Sequence, residues 1–361
     1  MYGLGGAEIQ CHYFAREYFK QGWEVYFLTK KGKKIDTSFD NEGVKIIHYS
    51  KSYNPFKSIS TFIKVFINYK FNVVFFRNNT HQLGTLAALS KLLKFNLIWS
   101  VKHDDFCGKD AATKKNRLEN QNITLFLKIK WLIQDKLFQY GVRNSLLLIA
   151  QNRYQQKKIK NDFGLESTIL YSGINIPEYN FQRKNNILFI ATIRKFKRPE
   201  LFCQLAENLS NNNYQFLLIG ENYSTKSDSD ILLHRIANSK VNYQGSMPLE
   251  QVQKLLNKSK LLINTSTAEG FPNTFVQAFA HGVPVISLDV NTDNLITDHD
   301  IGYFANGDME KMTYLIKQIM ENDALWAEKS KNAYDFARYF LNINKNVSSL
   351  NKILFQGNKS Y

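Results

Sequence analysis

The sequence is poor in cysteine and proline and has no long hydrophobic run. Its 361 residues include three Cys and six Pro. The cysteines, Cys11, Cys107 and Cys203, lie far apart and match no metal-ligand spacing, which indicates reduced thiols in a cytosolic chain. No apolar stretch approaches the roughly 20 residues needed to cross a bilayer, and no signal-peptide pattern opens the chain. These absences exclude a disulfide scaffold and leave only peripheral contact with a membrane.

The composition is that of a folded α/β protein. Hydrophobic residues make up 44% of the chain and aromatic residues 14%, enough for substantial cores, which excludes disordered and collagen-like classes. Apolar spacing predicts a helix over residues 7–21. Short β-rich runs alternate with helical segments, and this alternation predicts parallel sheets. The predicted strands are residues 23–28, 73–76, 97–101, 146–150, 187–191, 216–219, 261–264 and 285–287.

The predicted elements form two series. A Gly- and Pro-containing stretch at residues 170–177 separates them, and the length fits two domains, 1–178 and 179–361. A parallel sheet of this kind normally opens with a strand that leads into the first glycine loop. Only four residues precede Gly5, so we expect the first strand of the N-terminal domain to be missing from this chain.

Positive charge is concentrated in the first domain. The chain has 47 Lys plus Arg against 31 Asp plus Glu, a net charge of +16, of which the first domain holds +13 and the second +3. This favours a polyanion or an anionic membrane as partner, with a solvated Lys-rich surface as the alternative. Residues 50–71 and 113–140 mix Lys with large apolar residues, as in interfacial helices or in core helices with an outer Lys face. No nucleic-acid-binding signature accompanies the charge, so nucleic acid is not expected.

Residues 266–287 carry the most informative pattern. A buried strand leads into them, Pro272 suits the first turn of a helix, and Gly282 suits its end. Glu269 would lie just before the helix start, beside backbone N–H groups that can hold a phosphate. This arrangement favours a site for a sugar hydroxyl and a diphosphate, and simple capping of the helix by Glu269 is the alternative.

These motifs resemble the retaining glycosyltransferases of family 4, whose GT-B fold consists of two facing Rossmann-like domains. The resemblance covers nearly the whole chain. Matching segments are residues 5–8 (Gly-Gly-Ala-Glu), the helix-to-strand turn at 21–25, the interdomain linker at 171–177, the basic segment 194–200, and 269–277. The last segment occupies the family's two-glutamate motif, in which Gln277 replaces the second glutamate.

The resemblance implies that the donor binds to the second domain and the acceptor to the basic first domain, with the final helices as candidates to pack back on the first domain. It implies catalytic roles for Arg194, Lys197, Glu269 and His103. Arg194 and Lys197 would neutralise the leaving diphosphate without a metal, while neighbouring Lys195 and Arg198 are expected to be solvated. His103 would bind a sugar hydroxyl or orient the acceptor, or be an ordinary surface histidine beside an aspartate.

The resemblance also implies a set of donor-binding residues. Gly5 and Gly6 would let a loop approach the phosphates and donate backbone N–H groups, and Gln277 would hydrogen-bond a ribose hydroxyl. Gly220, Glu221 and residues 245–248 resemble the family's loops around the nucleobase. The remaining predicted donor-binding residues are Gly270, Phe271, Pro272, Asn273 and Thr274. No cofactor is expected besides the substrate, a UDP- or GDP-linked sugar.

The implied function is retaining transfer of a hexose-type sugar from a nucleoside diphosphate to a lipid-linked or growing glycan. The basic first domain fits a lipid-linked or otherwise anionic acceptor at the membrane, which would place the reaction in bacterial surface polysaccharide synthesis, such as that of lipopolysaccharide or exopolysaccharide. The protein would be cytoplasmic and peripheral on the inner face of the cell membrane. The alternatives are a catalytically degenerate GT-B scaffold, and a GT-B phosphorylase or nucleotide-sugar epimerase that turns over donor without an acceptor.

Overall fold

The computed structural model describes residues 6–30, 43–49, 55–119, 124–180, 184–222 and 226–356. The chain divides into two compact units. The middle unit is Tyr18–Tyr171, and the terminal unit joins Met1–Glu17 to Ser172–Tyr361. Every strand pair in the described ranges is parallel, so the predicted α/β class is confirmed. The assignment of residues 1–178 to the acceptor and 179–361 to the donor stays a prediction.

The first half of the chain supplies one long N-terminal helix and two parallel sheets. β1 pairs with β2, and the larger sheet has the order β3-β4-β5-β6. Trp99 and Phe138 meet edge to face in its core, with ring centroids 5.4 Å apart. The elements are α1 (Gly6–Lys20), β1 (Tyr26–Lys30), β2 (Lys45–Tyr49), α2 (Pro55–Asn68), β3 (Val73–Phe76), α3 (Gln82–Leu93), β4 (Asn96–Ser100), α4 (Ala111–Glu119), α5 (Leu125–Arg143), β5 (Leu147–Ala150), α6 (Arg153–Phe163) and β6 (Thr168–Ile169).

The terminal unit is built on one parallel sheet with the order β12-β11-β10-β7-β8-β9. Its elements are β7 (Lys184–Ile190), α7 (Pro199–Asn208), β8 (Gln215–Ile219), α8 (Lys226–Ala237), β9 (Val241–Tyr243), α9 (Leu249–Leu256), β10 (Ser259–Asn264), α10 (Asn273–Ala280), β11 (Val285–Ser287), α11 (Leu295–Asp298), β12 (Gly302–Phe304), α12 (Met309–Glu321), α13 (Asp323–Phe336) and α14 (Ile343–Gln356). The chain proceeds from β7 outward to β9, then returns to β10 on the other side. The strand order therefore reverses between β7 and β10, where open α/β sheets bind their ligands.

The predicted strands lie close to the observed ones. Residues 73–76 and 285–287 match β3 and β11 in full, and the first helix is displaced by one residue. The predicted interfacial segment 113–140 covers parts of two helices, α4 and α5. Across the described ranges, no helix is long and apolar enough to cross a membrane.

Gly220, which follows β8, sits where only a glycine fits. Its φ is +152°, and a Cβ atom would lie 1.6 Å from the carbonyl oxygen of Ala191. We expect Gly220→Ala to lower the free energy of unfolding by about 2 kcal/mol or more, because the strained backbone and the steric clash with the Ala191 carbonyl both destabilise the variant. Denaturant unfolding checks this. Gly164→Ala is the matched control, since Gly164 has a φ of +70° with no atom near its Cβ position, and equal losses in both variants would contradict the clash.

Candidate functional site

The adjacent strands β7 and β10 end at the same edge of the sheet, and charged side chains follow both. After β7, Arg194 precedes a 3-10 turn at Lys195–Lys197. After β10, the loop that contains Glu269 leads to α10. Lys197 Nζ donates to Glu269 Oε1, which makes an ion pair between the two loops. The structure thus brings together residues that are 72 positions apart in the sequence.

Lys197 is largely buried in this ion pair. Its side chain is 14% exposed and that of Glu269 is 17% exposed. Burial lowers the pKa of Lys197 to about 8, and the nearby charge of Arg194 acts in the same direction. A bound anion would oppose both effects and favour the charged ammonium. Lys197 therefore has the properties of an anion-binding cation whose protonation changes just above neutral pH.

The end of β10 supplies a polar scaffold that the sequence reasoning missed. Ser266 Oγ donates to Glu269 Oε1 at 3.0 Å and so orients the carboxylate. Thr265 Oγ1 lies 2.7 Å from the carbonyl oxygen of Lys197, to which it donates. Asn264 Oδ1 accepts from the backbone N–H of Ser266 at 3.1 Å. Thr265 therefore ties the β10 loop to the β7 loop, while Asn264 and Ser266 fix the β10 loop itself.

Arg198 differs from the sequence prediction, whereas Lys195 agrees with it. Lys195 is exposed, as expected. Arg198 is half-buried, and its Nε donates to the carbonyl oxygen of Thr265 at 2.5 Å. Its guanidinium also pairs with the carboxylate of Asp289. The expectation of a solvated Arg198 is wrong, because the side chain ties the β7 loop to the segments that follow β10 and β11.

The first turns of α1 and α10 meet within the terminal unit. Gln10 Nε2 donates to Asn273 Oδ1 at 2.8 Å. A Cβ atom on Gly6 would lie only 2.1 Å from Asn273 Nδ2, so the absence of a side chain at Gly6 permits this approach. The first turns of helices present backbone N–H groups without intrahelical acceptors, and they attract anions. Gly5 lies outside the described residues.

The other predicted residues before and within α10 frame the helix start. Phe271 and Pro272 are buried, and Pro272 immediately precedes the helix. Thr274 is half-buried in the first turn. The carbonyl oxygen of Gly270 accepts from Thr292 Oγ1 at 2.7 Å, which fixes the loop from the far side. The structure therefore gathers all of these residues at one helix end.

Gln277 is the most unusual residue of the site. It lies on α10, one turn beyond Asn273 and on the same side of the helix. Its side chain is 1% exposed, and neither Nε2 nor Oε1 has a hydrogen-bond partner in the described structure. A buried amide without hydrogen-bond partners lowers the stability of a folded protein by roughly 1–3 kcal/mol, so such groups are rare without a functional reason. A hydrogen bond between this amide and a ligand hydroxyl would be such a reason.

His103 belongs to the middle unit, unlike the other predicted catalytic residues. It precedes a 3-10 turn after β4, is half exposed, and accepts at Nδ1 from the backbone N–H of Asp105 at 3.2 Å. Asp104 has a structural role, since its Oδ1 accepts from Asn152 Nδ2 at 3.1 Å and Gln155 Nε2 at 2.6 Å. The predicted contact of His103 with a sugar stays a prediction.

The predicted nucleobase loops also lie together. The backbone N–H of Gly220 donates to the carbonyl oxygen of Gly245 at 2.8 Å, and Tyr243 Oη donates to that of Gly220 at 2.9 Å. Contact of these loops with a base stays a prediction. In the described part of the chain, no group of three or more His, Cys, Asp or Glu side chains is placed to hold a metal ion.

Comparisons with known proteins agree with this architecture. Residues 174–338 match the family model described as glycosyl transferases group 1. The chain is also 26% identical, over 195 residues, to the poly(ribitol-phosphate) alpha-N-acetylglucosaminyltransferase of Staphylococcus aureus (strain COL). That match covers 52% of this chain and 39% of the relative, so the chain spans well under half the length of the curated protein that it matches.

Solved structures resemble nearly the whole chain. HepE of Anabaena, in complex with UDP and glucose, superposes with a TM-score of 0.72 at 15% identity, covering 98% of this chain and 97% of that one. A glycosyltransferase from Rickettsia africae ESF-5 gives a TM-score of 0.72 at 15% identity, covering 99% and 96%. The fold is therefore that of the GT-B glycosyltransferases, with two Rossmann-like domains.

Proposed function

We propose that this chain is a retaining glycosyltransferase that moves a sugar from a nucleoside diphosphate to a lipid-linked or growing glycan acceptor. The reaction would serve bacterial surface polysaccharide synthesis. The observation that carries the proposal is the meeting of Lys197, Glu269 and the first turn of α10 at one sheet edge, beside the unpartnered amide of Gln277. UDP is the favoured nucleotide, because HepE, which has the same fold, is in complex with UDP and glucose.

Each residue has a distinct role in the proposed donor complex. The diphosphate lies against the first turn of α10, where Arg194 and Lys197 neutralise the charge that grows as the sugar leaves. Glu269 accepts a hydrogen bond from a sugar hydroxyl and keeps Lys197 in place before the donor arrives. Gln277 pairs with a ribose hydroxyl. Because Gln277 is neutral, the segment 269–277 does not offer the two carboxylates of a double displacement.

The charge of the middle unit supports an anionic acceptor. Residues 18–171 hold 26 Lys plus Arg against 11 Asp plus Glu, which is nearly all of the net charge of the protein. The curated relative is named for a poly(ribitol-phosphate) acceptor. A phosphate-containing or lipid-phosphate-linked glycan therefore fits this unit better than a neutral sugar.

Nucleotide binding tests the proposal. UDP at about 100 times its dissociation constant should stabilise the folded protein by roughly 2.7 kcal/mol, because it binds only the native state. Arg194→Ala and Glu269→Ala should reduce the stabilisation, whereas Lys195→Ala, a change at the exposed neighbour, should not. Thermal unfolding with UDP, GDP, ADP and their sugars gives the measurement.

The same experiment separates the alternatives. Absence of a shift with every nucleotide, in a folded protein, would contradict the transferase proposal and leave the degenerate scaffold, which the Gln277 replacement favours. A shift with a nucleotide-sugar that is then isomerised without an acceptor would indicate an epimerase, whereas formation of a sugar phosphate only when inorganic phosphate is added would indicate a phosphorylase.

A further inference from the structure

The middle unit exposes an apolar helix face that no other described part of the chain covers. The face lies on α5, and its members recur at helical spacing. Its two most exposed side chains, Leu125 and Phe126, are 74% and 75% exposed. We call the following set the α5 face: Leu125, Phe126, Ile129, Leu132, Ile133, Leu137 and Tyr140. Isolated exposed apolar residues are ordinary, but a continuous stripe of large ones marks an interaction surface.

The opposite side of α5 is firmly seated, so the exposure does not reflect a loose helix. Its own side chains on that side, Trp131, Phe138 and Val142, are buried. A Cβ atom on Gly84 of α3 would lie 2.2 Å from the carbonyl oxygen of Leu137, which shows how closely the two helices approach. Thr124 Oγ1 accepts from the backbone N–H of Leu127 at 3.3 Å and caps the first turn. The α5 face is therefore presented on a rigid support.

Cations surround the α5 face, with one exposed carboxylate, Asp110, at its edge beside Leu132 and Lys136. Lys128, Lys130 and Lys136 are exposed on the same helix. Lys91 of α3 places its Nζ 5.3 Å from the ring centroid of Tyr140. The one acidic residue of α5, Asp135, is 4% exposed, and its Oδ1 accepts from the backbone N–H of Ala112 at 2.7 Å. Apolar side chains flanked by lysines are typical of a helix that lies in a membrane interface.

We propose that the α5 face docks on the surface of a bilayer that contains anionic lipid. Large apolar side chains would enter the boundary between headgroups and acyl chains, and the flanking lysines would meet lipid phosphates. A second copy of the chain fits less well, because a symmetric contact would bring the lysines of both copies together. The inference rests on the proposed function, in that a lipid-linked acceptor requires the enzyme at a membrane.

Vesicle flotation with the full chain tests the inference. We expect retention on phosphatidylcholine vesicles that contain phosphatidylglycerol, and little retention on phosphatidylcholine alone. Combining Phe126→Gln, Ile129→Gln and Ile133→Gln should lower the partition coefficient at least about tenfold. Each of Lys128→Gln, Lys130→Gln and Lys136→Gln should lower it about fivefold. The matched control combines Ile231→Gln and Tyr314→Gln, which change exposed apolar residues of the terminal unit and should have no effect.

UDP binding by every variant keeps this test separate from that of the proposed function. Variants that still bind UDP but no longer float support the α5 face as the docking surface. Equal retention of wild type and the apolar triple variant would overturn the inference. So would a concentration-dependent dimer that the triple variant abolishes, because the occupant would then be a second copy. Flotation without UDP binding would retain the inference while contradicting the transferase proposal.

Discussion

Replacing Lys197 by Met should slow sugar transfer on the order of 100- to 1000-fold, as the loss of one preorganised electrostatic contact typically does. The ammonium is held within the site by its ion pair with Glu269, and it would face the charge that develops on the leaving diphosphate. The loss should appear in kcat, because the interaction strengthens as the bond breaks. Steady-state kinetics with a UDP-sugar, alongside Lys195→Met as the exposed neighbouring control, give the comparison.

The pH dependence of the rate should show whether the ammonium of Lys197 is the responsible group. Burial and Arg194 lower its pKa to about 8 in the free protein, and the protonated form is the one that neutralises the diphosphate. The kcat/KM of the wild type should therefore fall as the pH rises through about 8. Lys197→Arg keeps the positive charge, and its kcat/KM should not fall as the pH rises through about 8, since a guanidinium does not titrate in this range. An unchanged fall in Lys197→Arg would assign the titration to another group.

The sequence is sufficient to predict the sheets because short apolar strands leave a local signal. The buried strands β10 and β11 contain short apolar runs, residues 261–263 and 283–286, bounded by polar or Gly-containing segments, and their positions can be read directly. β2, β6, β9 and β12 were missed. The last three have only two or three residues, and all four are partly exposed, so composition barely distinguishes them from loops. The helix that starts at Asn273 was predictable from Pro272 and Gly282, which act locally.

The contacts that complete the site were not predictable, because they join residues far apart in the chain. Gln10 lies 263 positions from Asn273, yet the two side chains share a hydrogen bond. Arg198 and Asp289 are separated by 91 positions, and nothing around Arg198 distinguishes it from the exposed Lys195. The parallel pairing of β10 with both β7 and β11 brings the loops of Arg198 and Asp289 to one edge. Residue types therefore indicated the chemistry, whereas the sheet order determined which residues meet.

Replacing Gln277 by Met should change stability and nucleotide binding in opposite directions. Met fills a similar volume and removes a buried amide without partners, so the free energy of unfolding should rise by about 1–3 kcal/mol. UDP should bind on the order of 30- to 150-fold more weakly, because the amide would lose two hydrogen bonds of roughly 1–1.5 kcal/mol each with the ribose. Denaturant unfolding and calorimetric titration with UDP measure the two effects.

The opposite signs make this experiment decisive, because a more stable variant cannot have lost its ligand through unfolding. Inorganic pyrophosphate is the control ligand, and its affinity should be the same for wild type and Gln277→Met if the amide contacts only the ribose. Gln277→Glu places a carboxylate at a site that is 1% exposed, so it should be less stable than wild type without ligand. A Gln277→Met protein that is less stable and binds UDP normally would show that the amide serves the fold. A Gln277→Met protein that is more stable and binds UDP more weakly would instead show that the nucleotide supplies the hydrogen-bond partners of this amide.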